Sequence, residues 1–169
     1  MTVDDKQFDH APSPVHREIV RPEWVDYNNH MNVAFYVLVF DHATDAVFDR
    51  LDLGKAYRET TGCSLFVGEA HVTYEQEVCA GDRLRVTSRI LGFDGKRIIL
   101  YHEMERDDAD GLVATNEVLC LHVDLASRRT APLPSPAVER LQRATARNGV
   151  LARPLRAGRA IGLDTRRPR

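Results

Sequence analysis

Two regimes of hydrophobic patterning meet near Leu51. From Val33 to Leu51 the chain has neither Pro nor Gly; residues Val33 to Phe40 are all apolar, and polarity appears later, at Asp41, His42, Asp45 and Asp49. This pattern predicts one long helix starting near Asn32. Asn29 or Asn32 can cap it by accepting from first-turn amides, and Gly54 can close it. Because its first half is apolar on every side, the helix is expected to be enclosed by other elements. Beyond it, Ser64 to Val78, Arg83 to Gly92, Arg97 to Glu105 and Leu112 to Asp124 alternate β-branched or aromatic residues with polar ones, the period of strands. Asp94-Gly95 reads as a two-residue hairpin turn, with Ala80-Gly81-Asp82 and Asp107 to Gly111 as the other turns. A strand near Val15 to Arg21 leads into a polar loop, and a short helix is expected from Ala137 to about Arg147. The pieces read as consecutive and antiparallel. One long helix beside such strands is α+β, and a curled sheet wrapped around the helix would bury it.

Length limits this plan to a single domain: 169 residues with 43% hydrophobic content bury one sizeable core. Residues 1–14 are polar and acidic, without an apolar h-region, and read as a flexible leader; 15–147 form the domain. From 148 to 169 the chain turns basic, with Arg153, Arg156, Arg159, Arg166, Arg167 and Arg169. That stretch reads first as a solvated flexible tail and second as arginines that meet the phosphates of coenzyme A or an acidic partner. A net charge of −2 gives no basic surplus for nucleic acid, and no apolar run is long enough for a membrane span. Cys63, Cys79 and Cys120 are odd in number and widely spaced, which fits reduced thiols in the cytoplasm.

The chemistry concentrates in Trp24-Val25-Asp26-Tyr27-Asn28-Asn29-His30-Met31-Asn32-Val33. A carboxylate, an amide, an imidazole and a second amide fall at alternate positions just before the long helix. A helix N-terminus offers free N–H groups and the positive end of the macrodipole, suited to a carbonyl oxygen that gains charge. A carboxylate beside it can activate water or attack a thioester. Equally, Asp26 and Asn28 can be loop-forming or capping residues and His30 a satisfied buried histidine. There is no G-x-S-x-G elbow, phosphate-cradling glycine loop or C-x-x-C pair, and the histidines show no helical i, i+4 pairing. No metal or cofactor is expected.

The D-x-N-x-H-x-N run resembles the 4-hydroxybenzoyl-CoA thioesterase-like branch of the hotdog superfamily and the matching motif of plant acyl-ACP thioesterases. The likeness continues through Tyr74-Glu75-Gln76-Glu77, Gly81-Asp82, Ala114-Thr115-Asn116-Glu117 and His122-Val123-Asp124, covering about residues 15 to 140. It implies a hotdog fold and hydrolysis of a small acyl-CoA. It also implies a homodimer or dimer of dimers with acyl sites at the subunit junction. By position, Asp26 matches the acidic nucleophile or general base; Asn28 and His30 match the groups that place water or substrate. Glu77 matches a downstream acidic residue, although a surface carboxylate at a strand end reads as well. The N–H near Val33 matches the oxyanion donor. Asn29 stands where a glycine is usual in the hydroxybenzoyl type.

Trp24 to Leu51 looks especially like the thioesterases of carnitine breakdown, which release glycine betaine from betainyl-CoA. Trp24, Tyr27, Phe35 and Tyr36 are then candidates to hold a quaternary ammonium on their ring faces, with Glu69 or Glu77 as counter-charge. The same aromatics can simply pack the helix against the sheet. Two other functions fit less well: a hotdog hydratase or dehydratase, whose acid–histidine pair has another spacing, and a non-catalytic acyl-CoA binding module, which needs no activated water.

Overall fold

The apolar run after Asn32 forms the hub of the protein. In the computed structural model, which describes residues 15–108, 110–148 and 152–162, helix α1 spans Val33–Arg50. Asn32 is its cap: its side-chain oxygen accepts from the Ala34 amide at 3.0 Å. Around α1 run β1 (Val15–Ile19), β2 (Cys63–Tyr74), β3 (Arg83–Phe93), β4 (Arg97–Arg106), β5 (Leu112–Asp124) and the short β6 (Arg129–Thr130). All pairings are antiparallel, in the order β1-β3-β4-β5-β2 with β6 on β5.

Two apolar clusters fill the space under the helix. Tyr36, Val39, Phe40 and Ala43 meet Val86, Met104 and Ala114 in one. Val47, Phe48 and Leu51 meet Ile98, Leu100 and Val118 in the other, sealed by Leu133, Ala137 and Leu141 at the start and along one face of α3 (Ser135–Asn148). A polar knot ties the helix to the sheet as well. His102, fully buried, holds Thr44 of α1 at 3.1 Å through Nε2 and Ser88 of β3 at 2.8 Å through Nδ1. Both ring nitrogens are satisfied by hydroxyls, which serve as donor or acceptor, so the imidazole can stay neutral. Burial pushes its pKa down to about 3.

Several local expectations need correction. α1 is not enclosed on every side: Val33 and Val37 are 58% and 43% exposed, because its buried residues follow the 3.6 period of one face. Gly54 does not close α1, which ends at Arg50; it is the N-cap of an unforeseen helix α2 (Lys55–Thr61), and the chain turns at Asp52, in the left-handed region at φ 51°. The β3–β4 connection is a three-residue loop, Asp94 to Lys96, and Gly95 does not take a positive φ. The Asp94 carboxylate stabilises that loop by accepting from the Lys96 and Arg97 amides at 2.9 and 2.8 Å.

Strand order departs from the consecutive reading too. β2 ends at Tyr74 rather than Val78 and pairs with β5, not β3, so residues 75–82 cross from one edge of the sheet toward the other. β2 also carries a bulge between Val67 and Glu69, which interrupts the alternation of its side chains between the two faces. Glycine at position 68 allows the close approach there, since an added Cβ would lie 2.9 Å from a Leu121 methyl group. Residues 1–14 lie outside the described residues. Of the basic stretch, residues 152–162 are described; Arg156 donates to Glu75, just past the end of β2, at 2.8 Å, and the Gly158 amide donates to Glu117 of β5. Among the described residues no helix is long and apolar enough to cross a membrane.

Candidate active site

The loop before α1 is a small closed structure. Pro22 to Trp24 form one 3-10 turn, Val25 and Met31 face each other in an isolated antiparallel bridge, and the chain between them turns back on itself. The Asp26 amide donates to the His30 carbonyl at 3.0 Å and the Asn29 amide to the Asp26 carbonyl at 3.0 Å. This tight turn puts Asn29 at φ 64°, a left-handed conformation that asparagine tolerates better than most residues. One carboxylate oxygen of Asp26 accepts from the Asn28 amide at 2.8 Å, an Asx turn that fixes the side chain.

The crossing connection after β2 docks on this loop. The Met31 amide donates to the Val78 carbonyl at 2.8 Å, and the Asn32 amide to the Trp24 carbonyl at 2.9 Å. The docking carries Glu77 to His30, with Nδ1 and Oε2 3.1 Å apart. Both side chains retain solvent access, Glu77 the more so. Of the four residues singled out as catalytic, Asp26, Asn28, His30 and Glu77, three lie in one turn and the fourth reaches His30 from 47 residues away along the chain. Val33 is the first residue of α1, at the end where Asn32 engages the next two amides, those of Ala34 and Phe35.

The aromatic residues are less united. Trp24 is buried and stacks on Phe35, with centroids 5.3 Å apart and planes at 12°, while the Arg21 guanidinium lies 4.9 Å from the Trp24 ring centroid. Tyr36 is buried in another direction: its hydroxyl donates to the Gln76 carbonyl at 3.3 Å and its ring meets Tyr74 edge-on at 5.3 Å. Burial pushes the Tyr36 hydroxyl above its ordinary pKa, so it stays a neutral donor. Tyr27 is 93% exposed. These four rings do not form a closed cage within one chain. Arg21 and Tyr74 were not foreseen: Arg21 is three residues from Trp24 across a Pro-initiated turn, a readable spacing, whereas Tyr74 arrives only through tertiary packing.

A curled antiparallel sheet around one long helix, with an acidic loop at the helix N-terminus, defines a hotdog protein. The sequence profile of the thioesterase-like superfamily matches residues 20–142, and the chain belongs to that superfamily. Among its relatives, the betainyl-CoA thioesterase of Pseudomonas aeruginosa is 38% identical over 144 residues, spanning 85% of this chain and 91% of that protein. A fused L-carnitine dehydrogenase/betainyl-CoA thioesterase of Agrobacterium fabrum is 41% identical over 129 residues, which are 76% of this chain and 26% of that longer protein. Among solved structures, a Staphylococcus aureus protein in complex with CoA superposes with a TM-score of 0.83 at 28% identity, covering 89% of this chain and 94% of the other. The chain is an acyl-CoA thioesterase by this kinship.

Proposed function

We propose that this enzyme hydrolyses betainyl-CoA to glycine betaine and coenzyme A. The observation that carries the reading is its 38% identity to the Pseudomonas aeruginosa betainyl-CoA thioesterase, spread over 91% of that protein rather than confined to a motif. In the proposed reaction the Asp26 carboxylate takes a proton from water as the water oxygen bonds to the thioester carbonyl carbon. The N–H at Val33 stabilises the resulting oxyanion, which collapses with cleavage of the C–S bond. The coenzyme A thiolate leaves and is reprotonated. Asn28 and His30 position water and substrate, with Glu77 holding the His30 ring. The Asx turn supports this assignment, since it engages one Asp26 oxygen and leaves the other to accept the proton.

Recognition of the trimethylammonium group falls in this proposal to ring faces near the site, with Phe35 and Tyr27 the most accessible and Trp24 stacked behind Phe35. The test is catalytic efficiency on betainyl-CoA against a neutral ester carrying tert-butyl in place of trimethylammonium. Cation–π attraction of about 0.5–2 kcal/mol per contact predicts a preference of roughly 2- to 30-fold for the cation from a single ring. Equal efficiency on both esters would remove the cationic substrate and leave the thioesterase.

We further propose that the enzyme works as a homodimer or a dimer of dimers, in the cytoplasm where CoA esters are made. The dimer has support from β2, a 12-residue strand that ends the sheet, and from exposed Phe66, Val67 and Tyr74 along it. Light scattering on the eluted protein is expected to give at least twice the 19.1 kDa chain mass; a monomer at enzyme-assay concentration would reject this part. Three free thiols, Cys63, Cys79 and Cys120, fit a reducing compartment.

A further inference from the structure

Away from the Asp26 loop, the fold assembles a second group of side chains suited to a different task. His16 and Glu18 are two apart on β1, so they share the face turned toward α1, and His42 comes from the middle of that helix. His16 Nε2 lies 3.1 Å from Glu18 Oε2, and His42 Nδ1 lies 2.9 Å from the same oxygen. The three ligand atoms all fall within 4.8 Å of one another. The imidazoles meet edge-on, with centroids 6.0 Å apart, so their nitrogens converge while their planes stay clear of each other. Arg21 Nη2 sits 3.5 Å from the other carboxylate oxygen, Oε1, and orients Glu18 without occupying Oε2. No other group of three such side chains converges in this way among the described residues.

We propose that His16, Glu18 and His42 form a divalent transition-metal site, with zinc as the representative ion. Two imidazoles and one carboxylate are a ligand set such metals favour, and the fourth position is left to water. A tetrahedral ion with bonds of about 2.0–2.1 Å needs its ligand atoms roughly 3.4 Å apart, so the two contacts to Glu18 require only small adjustment. Charge nearby favours a cation as well: Asp41, Asp45 and Asp49 lie on the same helix as His42. Arg21 opposes binding, but it is engaged with the outer oxygen. The ion would clamp β1, whose outer edge has no strand beside it among the described residues, to the central helix. No helical i, i+4 spacing announces the site, since its members are joined only by the packing of β1 on α1.

Zinc titrated calorimetrically into the metal-stripped, tag-free full chain is expected to bind one ion per chain with a micromolar or tighter dissociation constant. Glu18→Gln, which keeps the shape of the side chain, and His42→Ala should each weaken that binding about tenfold or more, while His71→Ala, outside the cluster, leaves it unchanged. Zinc should also raise the thermal midpoint of the parent protein and not that of His42→Ala, since an ion that binds only the folded state stabilises it. Absence of saturable binding in the parent, or undiminished binding in both Glu18→Gln and His42→Ala, would overturn the site. Neither result bears on betainyl-CoA hydrolysis, which is assayed separately.

Discussion

Asp26→Asn is expected to lower kcat by on the order of 100- to 10,000-fold while leaving KM within a few-fold, the pattern of a lost proton acceptor or nucleophile rather than lost binding. The substitution is nearly isosteric. An asparagine oxygen can still accept from the Asn28 amide, and the backbone bonds Asp26 to His30 and Asn29 to Asp26 do not involve the side chain. The loop should therefore hold its shape. Only the charge disappears, and with it the capacity to take a proton from water or to attack the carbonyl. His30→Ala is expected to cost less, because imidazole in this assignment positions rather than reacts. Steady-state kinetics with a thiol-release readout decide the matter: an Asp26→Asn enzyme within a few-fold of the parent would remove Asp26 from the reaction.

Acid should destabilise the fold through His102. Its folded pKa, about 3, lies below the ordinary value of 6.5, so the unfolded chain binds the proton more readily. Stability from neutral His102 is complete above pH 6.5, falls as pH drops below it, and goes on falling until pH passes the folded pKa. At about 1.4 kcal/mol per pH unit, the loss is roughly 2 kcal/mol at pH 5, a large fraction of an ordinary domain's stability. Urea unfolding at pH 7.5 and pH 5 measures it. In His102→Gln the part of the pH slope due to this residue should vanish, although the variant is less stable at neutral pH for want of the bonds to Thr44 and Ser88. An unchanged slope would mean that other groups carry the acid sensitivity.

These two residues mark how far the sequence could be read. The Asp26 loop was legible as a candidate site because its pattern is local: four polar residues at alternate positions, the last of them the capping Asn32, stand out without knowledge of the fold. α1 was legible because a long run free of Pro and Gly has few other readings. His102 gave no such sign. A histidine alternating with apolar residues on a strand can face either side, and only the packing of α1 makes it central. The crossing of residues 75–82 was misread for a related reason: turn residues show where a strand stops but not which neighbour the next one finds. Glu77 was selected by resemblance, yet it reaches His30 through that crossing rather than through strand alternation. The Asp94 loop was misjudged because a side chain, not a glycine φ, closes it.

The bridge between Val25 and Met31 and the Met31 to Val78 bond have a further consequence. They tie the Asp26 loop both to itself and to the segment that spans the sheet, which restrains its opening. Its amides at Asp26, Met31 and Asn32 should then exchange with deuterium as slowly as those of the neighbouring sheet, and heat should inactivate the enzyme only where the whole domain melts.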